Sequence, residues 1–269
     1  MILQDKVILV TGASKGIGLE IARALAREGC QVVLAARSLD KLERAAQECG
    51  ARALAVQMDV TQADSVAAAV ERIERELGRV DVLVNNAGNG ASMGRWSSCA
   101  SATMQELFDV HVFGTERVMR AVLPMMSKAG EGTIVNFAST LGYVAMPGTA
   151  AYNAAKAAVV MLSKTLRAEL RGQGIDVRVF SPPHTKTESS REMPIELPKI
   201  FEPPWVAEQF VGFLRGRRAE LLAGGNGSLL LMQRLSPGLA RHIMERIGFG
   251  ALERVESKLS AQLTEGERP

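Results

Sequence analysis

The chain of 269 residues is long enough to form one large α/β domain or two small ones. Hydrophobic residues make up 47% and charged residues 23%, and the formal net charge of +3 is spread over mixed-sign runs, so nothing in the charge pattern favours nucleic acid binding. The three cysteines lack metal-binding spacing, which predicts small buried thiols in a reducing compartment and no metal site.

The first residues, MILQDKVILVTG, form a short apolar run that Asp5 and Lys6 interrupt, unlike a signal peptide. No apolar run approaches the roughly 20 residues that a membrane helix needs. GSLLLM at 227–232 is far too short to span a bilayer. We therefore expect a cytoplasmic protein without a transmembrane segment.

Seven short runs rich in Val, Ile and Leu predict strands that are buried on both faces. They lie at 6–12, 31–37, 52–60, 80–88, 132–139, 175–182 and 219–225. Amphipathic stretches such as GLEIARALAREG separate most of them and predict helices. The alternation predicts a single α/β domain over residues 1–225, a Rossmann-type doubly wound parallel sheet of about seven strands with helices on both faces.

Two regions break this alternation. Residues 182–204 are polar and rich in proline, and their length predicts a functional loop near a substrate. Residues 226–269 predict a C-terminal extension of one or two amphipathic helices with a frayed end. Such a helix could cover a pocket, pack against a second subunit or make peripheral contact with a membrane surface.

The glycine-rich stretch TGASKGIG, residues 11–18, follows the first predicted strand and opens the first predicted helix. Glycines there permit a tight turn and let a pyrophosphate approach the N–H groups at the helix start. The spacing is G-x-x-x-G-x-G, and an ordinary strand-to-helix turn is the alternative interpretation.

The end of the second predicted strand bears on the choice of cofactor. An NAD-binding fold places an acidic residue there to bind the ribose 2′-hydroxyl. This chain has Ala36 and Arg37 instead, and Arg37 together with Lys15 can pair with a 2′-phosphate. The pattern favours NADP(H) over NAD(H), although either charge could also be a solvated surface residue.

Five motifs in this order resemble the short-chain dehydrogenase/reductase family, from residue 6 to about 225. They are TGASKGIG, MDVT at 58–61, NNAG at 85–88, GTIVNFAS at 132–139 and YNAAK at 152–156. The resemblance implies a cofactor site made of Gly12, Ser14, Lys15, Gly16, Ile17, Gly18, Arg37, Asp59, Val60, Asn86, Ala87, Gly88, Tyr152, Lys156, Pro182, Thr185 and Thr187. Pro183 stands where the family has a glycine, which puts the backbone geometry before Thr187 in question.

The resemblance also implies three catalytic side chains. Tyr152 and Lys156 are four residues apart and share one helix face. Tyr152 would act as general acid and base, Lys156 would lower its pKa and hold the nicotinamide ribose, and Ser139 would orient the substrate carbonyl. The alternative is an alanine-rich packing helix with an interface tyrosine.

His111 is a departure, because it occupies the position of the family's usual catalytic Asn. That Asn holds a water that links the lysine to solvent. His111 could retain this relay with a different pH dependence, since histidine titrates near pH 6.5. It could instead be structural with a weaker relay, or the site could be degenerate.

The predicted substrate pocket is apolar and rich in methionine, which suits a hydrophobic ketone or alcohol with an acyl, lipid-like or steroid-like body. The candidate lining residues are Met93, Trp96, Leu141, Tyr143, Met146 and Met193. Ordinary core or loop packing is the alternative for each.

Three functions remain open from the sequence. We expect an NADP(H)-dependent oxidoreductase, with a dinucleotide-binding regulator or scaffold as one alternative. A reductase of carrier-bound 3-oxoacyl chains is another, with Lys186, Arg191 and Lys199 as a candidate basic patch. The resemblance further implies a homodimer or homotetramer, paired through the helices at 103–128 and 150–172.

Overall fold

A seven-stranded parallel sheet forms the centre of the protein, as a computed structural model of residues 1–90, 93–190, 195, 197 and 199–266 shows. The sheet order is β3-β2-β1-β4-β5-β6-β7. The strands are β1 Val7–Thr11, β2 Gln31–Ala36, β3 Ala53–Gln57, β4 Val82–Asn85, β5 Gly132–Phe137, β6 Ile175–Ser181 and β7 Glu220–Leu222. The chain reverses direction across the sheet between β3 and β4, so the switch point lies between β1 and β4.

Helices cover both faces of the sheet, as the alternation of apolar strands and amphipathic segments predicts. The helices in the described residues are α1 Gly16–Arg27, α2 Leu39–Cys49, α3 Ala63–Leu77, α4 Ser101–Phe108, α5 Gly114–Ala129, α6 Ala150–Leu170, α7 Pro203–Arg215, α8 Gly227–Leu235 and α9 Pro237–Gly266. One core contains apolar residues of α1, α2 and α7, and the other contains those of α3, α5 and α6. The Rossmann-type fold is therefore confirmed.

Buried polar side chains fasten the centre of the sheet to α6. Asn85 Nδ2 donates to Asn136 Oδ1 at 2.9 Å, and Asn136 Nδ2 donates to Ser163 Oγ at 2.9 Å. Ser163 Oγ donates in turn to the Val159 carbonyl at 2.6 Å. Because each of these groups is buried, this chain of hydrogen bonds holds α6 in one position against β4 and β5.

The C-terminal segment forms two helices that pack against each other and beside the sheet, since apolar residues of α8 and α9 share a separate cluster with the segment before α6. Leu231, Leu235 and Leu239 remain exposed on these helices. Within the described residues, no helix combines the length and the apolar character that crossing a bilayer requires.

Candidate active site

A cavity of about 600 Å³ opens at the carboxyl ends of the central strands. In open parallel sheets, the topological switch point at these ends is where ligands bind. All predicted cofactor and catalytic residues line this cavity. The structure thus gathers into one place residues that lie up to about 175 positions apart in the chain.

The glycine turn between β1 and α1 is built to receive an anion. Gly12 has φ 67° and Gly16 has φ 59°, a backbone conformation that strongly favours glycine. A Cβ added at Gly12 would lie 2.8 Å from Ala87 Cα, so the turn packs directly on the segment after β4. Among the described residues no side chain caps the start of α1, and its first turn has no acidic residue, so its first N–H groups are left to face the cavity.

The NNAG segment is fixed against this turn by hydrogen bonds. Thr11 Oγ1 accepts from the backbone N–H of Asn86 at 3.1 Å and of Ala87 at 3.0 Å. Asn86 Nδ2 donates to the Thr11 carbonyl at 2.9 Å. The floor of the cavity is therefore held by both β1 and β4.

Cationic side chains collect where β2 ends. Arg37 is exposed and lines the cavity, and Ser38 and Lys41 lie beside it in the wall. Ser38 and Lys41 were not predicted from the sequence as cofactor residues. Their positions just after Arg37, at the start of α2, could have indicated this role. Asp59 accepts from the N–H and the hydroxyl of Thr61, at 3.0 and 2.8 Å, which orients its carboxylate at this end.

The loop after β6 covers the glycine turn. Glu188 forms an ion pair with Lys15, and a Cβ added at Gly16 would lie 3.5 Å from Thr187 Cγ2. Thr185 Oγ1 donates to the Pro183 carbonyl at 2.7 Å, so its hydroxyl donor is used within the loop. Thr187 and Thr185 both reach the cavity wall despite Pro183.

Lys156 is buried and Tyr152 is partly buried on α6, and Ser139 lies just after the end of β5. Lys156 Nζ donates to the Phe137 carbonyl at 2.8 Å and lies 5.7 Å from the centre of the Tyr152 ring. Burial raises the pKa of Tyr152 to about 12, while a hydrogen bond with Ser139 acts in the opposite direction. Burial lowers the pKa of Lys156 to about 7.

These values differ from the sequence expectation that Lys156 lowers the pKa of Tyr152. Removal from water disfavours the phenolate and the ammonium alike, and this desolvation is the largest influence on both groups. In this structure Tyr152 therefore keeps its proton at neutral pH.

His111 lies in a single π-helical turn, Asp109–Phe113, between α4 and α5. This turn points its ring into the cavity, where it is 3% exposed. Gly88 makes the room, because a Cβ there would come within 2.4 Å of His111 Cε1. Turns of this kind occur often at functional sites.

The protonation of His111 follows from its contacts. Its Nε2 lies 3.2 Å from the Asn89 carbonyl, which can only accept, so Nε2 carries the hydrogen. Nδ1 is then an acceptor, and it is buried without a hydrogen-bond partner among the described residues. Burial, with a smaller contribution from Lys156, lowers the pKa of His111 well below 6.5. Burial therefore disfavours a His111 that titrates near pH 6.5, which was one of the possibilities left open by the sequence.

The predicted substrate residues divide into two groups. Leu141 and Met146 line the cavity. Trp96 is 65% exposed outside it, and Tyr143 is turned towards Glu220 and Lys164 instead. Met93 packs behind the wall in the apolar cluster of α8 and α9, and Met193 lies outside the described residues.

Four aliphatic residues complete this end of the cavity, namely Ile195, Leu197, Met244 and Ile247. Met244 and Ile247 were not among the pocket residues predicted from the sequence. Their signal is an apolar stripe on α9, since Ala240, Met244, Ile247 and Ala251 follow helical spacing.

Comparison with known proteins gives a consistent picture. The family model described as short chain dehydrogenase matches residues 6–196. Ketoacyl reductase HetN of Nostoc sp. is 32% identical over 231 residues, which cover 83% of this chain and 80% of that protein.

Two solved structures have similar folds. The 3-ketoacyl-(acyl-carrier-protein) reductase from Brucella melitensis, complexed with NADH, has a TM-score of 0.76 at 33% identity and covers 81% of this chain and 93% of that chain. A short-chain dehydrogenase from Streptomyces avermitilis has a TM-score of 0.76 at 28% identity, with 99% of both chains covered. The second likeness extends through α8 and α9.

Proposed function

The chain belongs to the short-chain dehydrogenase family of oxidoreductases, and on that premise we propose that it interconverts a ketone and a secondary alcohol with NADP(H). The observation that carries this proposal is the single cavity that holds the glycine turn, Ser139, Tyr152 and Lys156 together. The substrate is a hydrophobic small molecule, and the cytoplasmic location expected from the sequence stays a prediction.

The residues present fit a nicotinamide dinucleotide. The uncapped start of α1 offers backbone donors to a pyrophosphate, and the contact of Gly12 with Ala87 leaves no space for a side chain in the turn. Asn86, Ala87 and Gly88 would lie along the ribose, while Pro182, Thr185 and Thr187 would face the carboxamide. When bound, this cofactor supplies or takes up the hydride.

The charges at the end of β2 support NADP(H) over NAD(H). Arg37 and Lys41 line the cavity there, and Lys15 reaches the same mouth from the glycine turn. Ala36, at the end of the strand, has no carboxylate to bind a ribose 2′-hydroxyl. A 2′-phosphate carries charge that these cations would neutralise through charge-assisted hydrogen bonds.

The catalytic roles follow from burial and protonation. In reduction, the Tyr152 hydroxyl gives its proton to the carbonyl oxygen of the ketone, and in oxidation its phenolate takes a proton from the alcohol. Ser139, which is hydrogen-bonded to Tyr152 in the structure, would also bind the same oxygen and orient it. Lys156 is held by the Phe137 carbonyl on the cofactor side and replenishes the proton of Tyr152.

His111 is the positioning residue at the inner end of this proton path. Its buried Nδ1 has no hydrogen-bond partner among the described residues, so it would accept from a water that links Lys156 to solvent. Because the ring stays neutral, His111 acts as a fixed acceptor and does not itself titrate during turnover.

Carrier-bound 3-oxoacyl chains are the second candidate substrate, and the similarity to the two ketoacyl reductases favours them. The proposed basic patch gives this candidate little support. Lys186 is paired with Glu202, Lys199 lies 4.7 Å from the centre of the Phe201 ring, and Arg191 lies outside the described residues.

We also propose a homodimer or homotetramer. Phe113 and Met161 are 52% and 64% exposed on the helical layer that includes α5 and α6, where a second copy would cover them. Light scattering tests this state, and a monomer at micromolar concentration would contradict it.

The test of the proposed activity is consumption of NADPH and of NADH, followed by absorbance, with aliphatic, steroid and aromatic ketones and with carrier-bound 3-oxoacyl chains. We expect turnover with NADPH and an apolar ketone. Tight NADPH binding without turnover of any of these compounds would favour the regulator or scaffold alternative.

A further inference from the structure

We propose that α9 forms one wall of the substrate cavity and selects neutral ketones that carry a flexible aliphatic chain, with Met244 and Ile247 contacting that chain. This inference rests on the proposed function of the same site. It goes further by assigning a specificity role to the C-terminal extension and by excluding substrates with a free carboxylate on the chain.

The wall is made by residues on one side of α9. Met244 is only 6% exposed and Ile247 is partly buried, yet both line the cavity. They are three residues apart, so their side chains lie together on the helix surface. The cavity is also lined by four further aliphatic side chains of the same apolar cluster, those of Leu141, Met146, Ile195 and Leu197.

The helix is fixed in place and does not lie loosely over the opening. A Cβ added at Gly248 would lie 2.7 Å from the Pro147 carbonyl oxygen, so the backbones of α9 and of this loop are in direct contact. Leu252 is 3% exposed and packs over Gly148, where an added Cβ would lie 3.0 Å from it.

This contact places the wall close to the reacting atoms. Pro147 and Gly148 belong to the short segment that leads into α6, and Tyr152 lies in the first turn of that helix. Met146, from the same segment, lines the cavity together with Tyr152. A ketone oxygen at the Tyr152 hydroxyl therefore leaves the rest of the molecule among the aliphatic side chains.

A second attachment joins the far half of α9 to the segment after β4. Glu256 accepts from Arg95 Nε at 2.5 Å and from Arg95 Nη2 at 3.3 Å, a two-point contact. The pair is half-exposed, so it orients the helix more than it stabilises the fold. Together with the Gly248 contact it holds Met244 and Ile247 towards the cavity.

The distribution of charge sets the second part of the selectivity. The charged side chains that line the cavity are Lys15, Arg37, Lys41, Asp59, Lys156 and Glu188. The first three, with Asp59 and Glu188, belong to the cofactor end, and Lys156 is engaged by the Phe137 carbonyl. Burial keeps the pKa of His184 below its ordinary value, so it is neutral at pH 7. Among the described residues, a carboxylate on the chain would find no cation at the aliphatic end.

The experiment is a chain-length series of methyl ketones, from butanone to decanone, with NADPH and the full-length protein. We expect kcat/KM of the wild type to rise by about 4-fold per added methylene until the wall is filled. Met244→Ala and Ile247→Ala should reduce this slope, because each removes the surface that the chain covers. Leu239→Ala, on the exposed side of α9, is the matched control and should keep the wild-type slope.

A second arm compares an oxo-fatty acid with its methyl ester. We expect the ester to be preferred by about 10-fold or more, since the free acid would lose water around its carboxylate without gaining a partner. Equal kcat/KM for acid and ester would overturn the charge argument. If Met244→Ala and Ile247→Ala both keep the wild-type increase of kcat/KM with chain length, α9 does not form the wall. A smaller increase in Leu239→Ala would contradict the proposal too.

Binding separates this proposal from the proposed function. Calorimetric titration of the same ketones into protein saturated with the oxidised cofactor, NADP+, reports chain contact without turnover, because this form has no hydride to give. A chain-length dependence that Met244→Ala removes, in a protein that consumes no NADPH, would keep the wall and refute the activity. If the wild type turns over but its affinity for the ketones does not depend on chain length, the activity is kept and the wall is refuted. Circular dichroism and NADPH affinity confirm that each variant is folded.

Discussion

The imidazole of His111 meets the ring of Tyr152 edge-on, with the ring centres 5.6 Å apart and the ring planes at 88°. His111 thereby packs against the proposed acid residue, while its Nδ1 has no hydrogen-bond partner among the described residues. Two effects of this residue can be separated, namely support of the tyrosine ring and retention of a hydrogen-bond acceptor.

The first prediction separates them with two substitutions. His111→Leu keeps an apolar contact to Tyr152 but removes the acceptor, and we expect kcat to fall by about 10-fold or more. His111→Asn restores an acceptor and should recover most of the lost rate. Both variants should bind NADPH as the wild type does, by fluorescence titration. Equal rates for His111→Leu and the wild type would refute the relay.

The second prediction concerns the pH dependence of turnover. Because burial holds the pKa of His111 well below 6.5, the histidine is already neutral at pH 6.5 and above. We therefore expect no inflection of kcat near pH 6.5 that His111→Asn abolishes. Paired pH–rate profiles of the two proteins measure this, and an inflection present only in the wild type would contradict it.

The third prediction concerns the stability of the cofactor-free protein. Burial lowers the pKa of Lys156 to about 7 from 10.5, so between these values the unfolded chain binds more protons than the native one. The free energy of unfolding therefore gains a contribution that rises with pH. From about pH 7.5 to about pH 8.5, the stability difference between wild type and Lys156→Met should shift by about 1 kcal/mol in favour of the wild type.

Urea unfolding at the two pH values gives this difference. Burial raises the pKa of the Cys30 and Cys49 thiols to about 11, and this effect is common to wild type and variant, so it cancels in the difference between them. Lys164→Met, at a lysine whose side chain is 48% exposed, is the control and should show no such shift. If the stability difference between wild type and Lys156→Met does not change with pH, the lowered pKa of Lys156 is disproved.

The fourth prediction concerns the choice of cofactor. Arg37→Ala should weaken NADPH binding by about 10- to 100-fold, the range expected for a lost charge-assisted hydrogen bond. NADH binding should change little, because it has no 2′-phosphate. Arg44→Ala, on the exposed surface of the same helix that carries Lys41, is the matched control. An equal loss for both cofactors would remove Arg37 from the 2′ site.

Particular residues show how far the sequence could lead. The seven apolar runs and the order of the motifs predicted the sheet, since strand burial and switch-point binding follow from local pattern and topology. The position of residues 140–149 between Ser139 and Tyr152 led to the prediction of Leu141 and Met146, which line the cavity.

The misplaced residues depended on information that local pattern does not contain. Tyr143 is directed away from the cavity by Glu220, a partner 77 residues later in the chain. The raised pKa of Tyr152 and the lowered pKa of His111 both come from burial, which cannot be read from spacing. Met244 and Ile247 enter the pocket because α9 packs back onto Pro147, a long-range contact.

The most direct test of the account is NADPH consumption by the wild type and by Tyr152→Phe, with an apolar methyl ketone as substrate. Removing the hydroxyl leaves the ring, the His111 contact and the cofactor surface in place. We predict that the wild type turns over, and that Tyr152→Phe loses about 100- to 10,000-fold in kcat while its affinity for NADPH is kept. Turnover by Tyr152→Phe at the wild-type rate would contradict the assignment of Tyr152 as the acid and base of the reaction.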